Sequence, residues 1–187
     1  MRFNLADIFE SLADAVPDRV AVVCGERRAT YGEVDERATR LANWLHSQGV
    51  GPGHHIGLHL YNSTEFIEGI IAAFKLRAVP ININYRYVAH ELRYLFDNAD
   101  LVALIHQQEF APLVQEACQG MESLKTLVYM PDDSEVSLQG HSAIPFESAM
   151  EQGSSARDFP ERSLQNGEGL RGSEEDRCKT QGNGTQG

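Results

Sequence analysis

Histidine is the residue type in this chain whose spacing most invites a chemical role, because neutral imidazoles bind metal ions and exchange protons near neutral pH. His55 and His59, two of seven histidines, lie four residues apart in a predicted strand. An even spacing puts both side chains on one face of a strand, so the imidazoles could point together. No carboxylate or cysteine lies nearby in the sequence to complete a ligand set. We therefore assign no metal-binding residue and expect solvated histidines at the strand ends.

The residues that could act as nucleophiles lack the context that such chemistry needs. Cys24, Cys118 and Cys178 are far apart and odd in number, with no CxxC or Cys/His spacing typical of zinc sites or disulfide frameworks. No serine stands in a nucleophile elbow, and no cysteine has a recognisable histidine partner. The sequence alone therefore predicts no catalytic and no cofactor-binding residue.

The glycine-rich stretch "GVGPG" (residues 49–53) is weakly similar to a dinucleotide-binding loop. Such a loop must join a strand to the N-terminus of a helix, where backbone N–H groups hold the phosphates. Here the glycines follow a predicted helix and precede a predicted strand. We interpret the stretch as a helix-to-strand turn in which Gly49 ends the helix.

The chain is strongly acidic, with 16 lysines and arginines, 27 aspartates and glutamates, and a formal net charge of −11. Nucleic acids and anionic membranes do not attract such a protein, so we expect neither as a partner. The acidic charge does not exclude anionic small molecules as ligands, because backbone N–H groups can bind phosphate on an acidic protein. No apolar run approaches the length of a membrane span, and carboxylates interrupt the N-terminal apolar stretch. We expect a cytoplasmic protein.

Several helices have clear start signals. Thr30 and Glu33 form a capping box, and the helix that follows has an apolar stripe from which Asp35 is expected to lie apart. Asn4 is predicted to cap an earlier helix, and Asn62 a later one. The apolar stripe of the helix that follows Thr30 consists of Val34, Ala38, Leu41 and Leu45. In a further helix, Arg93 and Asp97 are expected to form a surface ion pair.

Short apolar runs alternate with these helices over more than a hundred residues. This alternation predicts an α/β fold with a mostly parallel sheet flanked by helices. Pro80 places its run at a strand start or a sheet edge, and residues 144–150 are expected to form a last short helix. The predicted strands are residues 20–24, 55–60, 78–84, 101–106 and 126–130, and further helices are predicted near residues 90–96 and 109–118.

The last part of the chain has a different composition. Residues 163–187 are rich in glycine and polar residues, with two leucines and no other large apolar side chain. Such a segment has too few apolar groups to offset its chain entropy, so we expect disorder. The predicted organisation is a folded portion, residues 1–162, followed by a polar tail, residues 163–187.

Several stretches, in order, resemble the N-terminal region of AMP-forming acyl-CoA synthetases, members of the adenylate-forming superfamily. The stretch "TYGEVDERATRLANWLHSQGVGPG" (30–53) is similar to that family's first conserved block, and "NSTEFIEGIIAAFKLRAVPININYRY" (62–87) to its second. "ARDFPERS" (156–163) resembles the segment that shortly precedes the nucleotide loop in fatty-acyl-CoA synthetases. The resemblance implies the N-terminal subdomain of the adenylate-forming fold.

The same resemblance implies a two-step reaction. A carboxylic acid, most simply a fatty acid, attacks the α-phosphate of ATP to give an acyl-adenylate, and the thiol of CoA then takes the acyl group. ATP, Mg²⁺ and CoA are thus implied for a full-length family enzyme, while none is expected for this chain alone.

The chain departs from the family where a phosphate-binding loop ending in Pro-Lys-Gly is expected. It has Lys179 in that region but no such pattern, so no family catalytic, cofactor-binding or metal residue transfers to a position here. The favoured hypothesis is a fragment of an acyl-CoA synthetase that is inactive alone. Two alternatives stay open: a non-enzymatic module that associates with a partner such as a full-length synthetase, and one half of a split synthetase.

Overall fold

The computed structural model describes residues 4–159, and the predicted polar tail at 163–187, with Cys178 and Lys179, lies outside the described residues. The helices are α1 (Leu5–Ala15), α2 (Tyr31–Ser47), α3 (Thr64–Lys75), α4 (Ala89–Asn98), α5 (Ala111–Ala117) and α6 (Phe146–Gln152). The strands are β1 (Val20–Cys24), β2 (Arg27–Thr30), β3 (His55–His59), β4 (Val79–Asn82), β5 (Leu101–Gln107), β6 (Thr126–Met130) and β7 (Ile144–Pro145).

Five of these strands form one parallel sheet in the order β4-β3-β5-β6-β7, which confirms the predicted α/β class. Of the five strands in this sheet, β3 comes first along the chain, and it lies inside the sheet with β4 on one side and β5 on the other. The register places His59 of β3 opposite His106 of β5. Pro80 lies on the edge strand β4, where its missing N–H interrupts no interior ladder.

The helix starts show why these residues form these elements. At the start of α2, the Thr30 N–H donates to Glu33 Oε2 (2.8 Å) and the Glu33 N–H donates to Thr30 Oγ1 (3.2 Å), so the predicted capping box is confirmed. At its end Gly49 has φ +87°, and the Val50 N–H donates to the Leu45 carbonyl (3.0 Å). This closes the helix as expected and directs the chain into β3.

Helices cover both faces of the sheet. On one face α2, α3 and α6 pack against Ile56, Leu58 and Ile105 of the central strands. On the other face α4 and α5 pack against Leu101 and Leu104. The interior strands are therefore buried on both sides, as their continuous apolar sequences predict.

Gly57 lies in β3 at a position where neighbouring side chains leave no room for a Cβ atom. A Cβ atom at this position would lie 2.8 Å from the Cδ1 atoms of Ile83 and Leu104 and 2.9 Å from that of Leu101. Glycine in β3 thus lets Leu101 and Leu104 of β5 meet Ile83, which follows β4, on the α4/α5 face.

Some sequence-based expectations are wrong in detail. The cap of α3 is Ser63, whose hydroxyl accepts from the Phe66 N–H (3.1 Å), and not Asn62. The sequence predicts a surface ion pair between Arg93 and Asp97. In the structure the Arg93 guanidinium instead donates to the carbonyls of Ala117 and Gln119 at the end of α5, because that helix packs beside α4.

The structure also adds elements that the sequence pattern did not predict. Residues 27–30 form β2, which pairs antiparallel with β1 in a separate hairpin. Residues 144–145 form the short strand β7 before α6 begins at Phe146. Within residues 4–159, no helix combines the length and the apolar character required to cross a bilayer.

Candidate functional site

The carboxyl ends of β3 and β5 form the place in this sheet where a ligand site is most expected. The chain leaves β3 toward β4 on one side, and all later strands add on the other side, so neighbouring connections diverge there. In open parallel sheets, ligands bind in the crevice that this change of direction creates. His59 and His106 end the two strands and lie in register.

His106 contacts a second histidine from a distant loop. Its Nδ1 lies 2.8 Å from the carbonyl oxygen of Gln107, and its Nε2 lies 2.9 Å from Nε2 of His141. A carbonyl can only accept, so Nδ1 of His106 carries the proton and its Nε2 presents a lone pair. In the neutral pair, His141 Nε2–H therefore donates to His106.

His59 is completely buried, and its ring stacks on Phe110 with 4.4 Å between ring centroids. Neither ring nitrogen makes a hydrogen bond of full geometry, although the nearby backbone of Tyr85 favours the protonated ring and opposes part of the effect of burial on the pKa. Burial lowers the pKa of His59 to about 4. The expectation of solvated histidines is therefore wrong for this residue.

The electrostatics of the pair favour neutral imidazoles. Burial is the main cause that lowers the pKa of His106 to about 4, and His141 and His59 add to the shift while the Asp132 carboxylate opposes it. Burial also lowers the pKa of His141. At neutral pH all three rings are thus uncharged and available as donors of lone pairs or of N–H bonds.

Aromatic side chains surround the histidines on the solvent side. Tyr61 lies 5.0 Å from Tyr85 and 5.3 Å from Phe110, measured between ring centroids. Tyr61 and Tyr85 are each about two-fifths exposed, and the Glu109 carboxylate raises the pKa of Tyr61. The carboxyl edge therefore combines an apolar, aromatic surface with a few polar groups, as small-molecule sites do.

The two histidines that the sequence singled out do not come together. His55 begins β3 and His59 ends it, so about 13 Å of strand separates them. His55 instead places Nδ1 beside the Ala99 carbonyl (2.5 Å). The pairing of His106 with His141 was missed because 35 residues separate them, and only the adjacency of β5 to the 131–143 loop brings them into contact.

A second polar cluster lies in the helical layer. The Asp35 carboxylate accepts from Lys75 Nζ (2.8 Å) and from Arg157 Nε (2.9 Å), and Lys75 is fully buried. Asp35 is itself buried, so its expected place off the packed face of α2 is wrong. This cluster joins three helices to the extended segment 153–159 and is built to hold elements together.

Neither cluster forms a complete catalytic set among residues 4–159. No group of three histidine, cysteine, aspartate or glutamate side chains in this range is arranged to hold a metal ion. Cys24 and Cys118 are free thiols, and burial raises the pKa of Cys118 to about 11, so it is protonated at neutral pH. Among residues 4–159, the carboxyl edge presents aromatic and imidazole groups but no paired nucleophile and base.

Comparison with known proteins connects this geometry to a family. The model of a family described as "AMP-binding enzyme" matches residues 9–166. A 3-oxocholest-4-en-26-oate–CoA ligase of Rhodococcus rhodochrous is 44% identical over 163 residues, which are 87% of this chain and 29% of the relative. A medium/long-chain-fatty-acid–CoA/3-oxocholest-4-en-26-oate–CoA ligase of Mycobacterium marinum is 41% identical over 158 residues, 84% of this chain and 29% of the relative.

Solved structures share the fold. An anthranilate CoA ligase in complex with anthranoyl-AMP aligns with a TM-score of 0.75 at 23% identity, over 82% of this chain and 29% of the ligase chain. A fatty acyl CoA synthetase of Mycobacterium tuberculosis aligns with a TM-score of 0.69 at 22% identity, over 86% of this chain and 30% of the other. This chain thus spans less than a third of the length of these proteins.

Proposed function

The chain belongs to the AMP-binding enzyme family, and from this premise we propose that it supplies one part of an ATP-dependent acid–CoA ligase. The resemblance to acyl-CoA synthetases that the sequence indicates is thereby confirmed. In the proposed reaction a carboxylic acid and ATP give an acyl-adenylate and pyrophosphate, and CoA then takes the acyl group. We assign residues 1–162 to this role and expect it to operate in the cytoplasm.

One observation carries the proposal: 44% identity over 163 residues to a protein named as an acid–CoA ligase, with this chain covering 29% of that protein. The relatives named above act on fatty and steroid-derived acids, so we propose an apolar carboxylic acid as the substrate class.

The geometry supports a binding role more than a chemical one for this part. The carboxyl edge offers aromatic and imidazole groups, but the described residues contain no paired nucleophile and base. Within residues 4–159, no group of three histidine, cysteine, aspartate or glutamate side chains is arranged to hold a metal ion. We propose that the nucleotide and the reacting carboxylate are held mainly by the remaining part of such an enzyme.

A chimera tests this function. Residues 1–162 would replace the matching segment of the Rhodococcus ligase, and acyl-CoA formation from ATP, CoA and a fatty or cholestenoic acid would be measured. We expect turnover within about tenfold of the parent ligase, because the fold and the core of this part are shared. A version of the ligase that lacks the segment serves as the control. A chimera that folds but shows no more activity than this control would contradict the proposal.

The isolated chain tests the second half of the proposal. We expect no acyl-AMP from the 187-residue protein mixed with ATP, Mg²⁺ and fatty acids, since residues 4–159 contain no complete catalytic set. Mixing it with the remainder of the Rhodococcus ligase tests association with a separate chain, and recovered ATP–pyrophosphate exchange would indicate a split enzyme. Acyl-AMP formation by the chain alone would show that it carries a complete active site.

A further inference from the structure

We propose that Nε2 of His106 and Nε2 of His141 form a two-imidazole site for one divalent transition-metal ion of the zinc class. The site lies at the carboxyl end of β5, where the 131–143 loop returns to the sheet. The proposal does not rest on the acid–CoA ligase function.

The orientation of His106 is the first argument. Its Nδ1–H donates to the Gln107 carbonyl at 2.8 Å, which fixes the tautomer and leaves the Nε2 lone pair directed at His141. Histidines that bind metal ions usually make this kind of hydrogen bond through their other ring nitrogen. His106 is thus already in the form that a metal requires.

The distance between the two nitrogens is the second argument. They are 2.9 Å apart. Two ligands of a tetrahedral zinc ion with Zn–N bonds of 2.0–2.1 Å lie about 3.3 Å apart. An increase of about 0.4 Å in this distance, together with transfer of the His141 proton from Nε2 to Nδ1 through solvent, would convert the imidazole pair into a chelate of two neutral rings. His141 is only partly buried and lies in a loop, so it can make this adjustment.

His59 provides an independent observation. It lies in register with His106 on the neighbouring parallel strand, so the two side chains share one face of the sheet. His59 is fully buried, and neither ring nitrogen makes a hydrogen bond of full geometry, with only the backbone of Tyr85 nearby. Buried polar groups are normally satisfied by protein, water or an ion, so this imidazole beside His106 indicates a place for a further polar group.

One carboxylate near the pair offsets part of the cost that burial places on a cation. The Asp132 carboxylate is close enough to His106 to stabilise positive charge there, although burial, the largest influence on the His106 pKa, opposes it. Asp132 is held in place by the N–H groups of Glu109 (3.0 Å) and Ser134 (2.9 Å). Imidazole nitrogen is a preferred ligand of zinc, copper and nickel. We therefore expect the ion to be one of these metals and not Mg²⁺ or Ca²⁺.

The remaining coordination positions are open. No three histidine, cysteine, aspartate or glutamate side chains within residues 4–159 already have a metal-binding arrangement. Two protein ligands leave room for water or another small ligand, which predicts weaker binding than at a structural zinc site with four protein ligands. Bound metal would tie the loop to β5, next to the contact between Gln108 Nε2 and the Val136 carbonyl (3.1 Å).

Calorimetric titration of the 187-residue protein with zinc chloride at pH 7.5 tests the site. We expect one site that weakens at least tenfold in His141→Gln and is unchanged in His90→Gln, a control at an exposed position on α4. His141→Gln removes a partly exposed loop side chain, and circular dichroism would verify that it folds. Equal zinc affinity in the wild type and His141→Gln would overturn the proposal and show adventitious binding elsewhere on the chain.

A spectroscopic measurement identifies the ligands directly. Zinc should shift the ¹⁵N resonances of His106 and His141 Nε2 and leave that of His90 in place, and magnesium should shift none of them. The same zinc-induced shifts at His90, or none at His141, would contradict a two-imidazole site.

Discussion

At the scale of single residues, the buried histidines couple the stability of this fold to pH. Burial holds the pKa of His59 and of His106 at about 4, below the unfolded value of about 6.5. The unfolded chain therefore binds more protons than the folded chain between these values. The resulting stability is complete above pH 6.5 and is lost progressively as the pH falls toward 4.

Urea unfolding at pH 7 and at pH 5 measures this effect. We expect each of the two histidines to reduce the free energy of unfolding by about 2 kcal/mol over this interval, from the linkage between pKa and stability. His59→Leu should flatten the pH dependence, because leucine can still pack on Phe110 and does not titrate. An equal loss of stability in wild type and His59→Leu would rule out His59 as a source.

Gly57 offers a second residue-scale prediction. In Gly57→Ala, the added Cβ would meet three leucine and isoleucine methyl groups at 2.8–2.9 Å, so we expect a loss of about 1–3 kcal/mol. Gly51→Ala is the matched control, since its Cβ would meet no atom within 4 Å and its effect should stay within about 0.5 kcal/mol. The measurement is the denaturant midpoint of unfolding for each variant. Equal midpoints for Gly57→Ala and Gly51→Ala would contradict the close packing at Gly57.

The residue scale also shows where sequence reasoning reaches its limit. The capping box of Thr30 and Glu33 was predictable because both partners lie within one helical turn. The burial of Asp35 was not, because its partners, Lys75 and Arg157, come from distant parts of the chain. From the helix pattern alone, a carboxylate next to an apolar stripe is predicted to be solvent-exposed. Only the structure shows the cationic side chains that allow Asp35 to be buried.

At the scale of elements, Asp35 joins α2, α3 and the segment 153–159 through buried charge. Asp35→Leu leaves fully buried Lys75 with Glu10 as its remaining partner in the cluster, so we expect a loss of about 3 kcal/mol, typical of a broken buried ion pair. Adding Lys75→Met should recover part of that loss. The measurement is a double-mutant cycle from urea unfolding.

The matched control for this cycle is Glu36→Gln on the same helix. Glu36 pairs with Arg40 one turn away, and its side chain is more than half exposed, so the change should cost about 0.5 kcal/mol or less. If Asp35→Leu were as mild as Glu36→Gln, the buried cluster would not stabilise the junction of these elements.

Element prediction succeeded where local signals were strong and failed where pairing was needed. β5 and β6 were recognised because their apolar runs are bounded by turns, and their observed bounds agree closely with the prediction. β2, with sequence Arg-Arg-Ala-Thr, carries no strand signal and forms only because β1 pairs with it. The two-residue β7 likewise exists through its contact with β6.

At the scale of the whole molecule, the two apolar clusters lie on opposite faces of one sheet and share its central strands. We therefore expect cooperative unfolding. The single tryptophan, Trp44, is buried on the α2 face and reports on that cluster, whereas far-ultraviolet circular dichroism reports on all helices. Coincident urea transitions by the two probes are the expected result, and separated midpoints would show that the faces unfold independently.

The overall class was predictable from the sequence, but the arrangement of the site was not. Alternating helices and apolar runs predict a parallel sheet, yet they do not state which strand lies in the middle. That order decides that His59 and His106 are neighbours. The resemblance to acyl-CoA synthetases supplied the family, and the imidazole cluster had to be found in the structure.

The strand order also has a consequence for synthesis on the ribosome. Among the strands of the five-stranded sheet, translation delivers β3 first, and β4 and then β5 pair with its two open sides. β6 next adds beside β5, and β7 beside β6. Every later strand meets an edge that already exists, so the sheet can grow in the direction of translation without displacing a strand that has already paired.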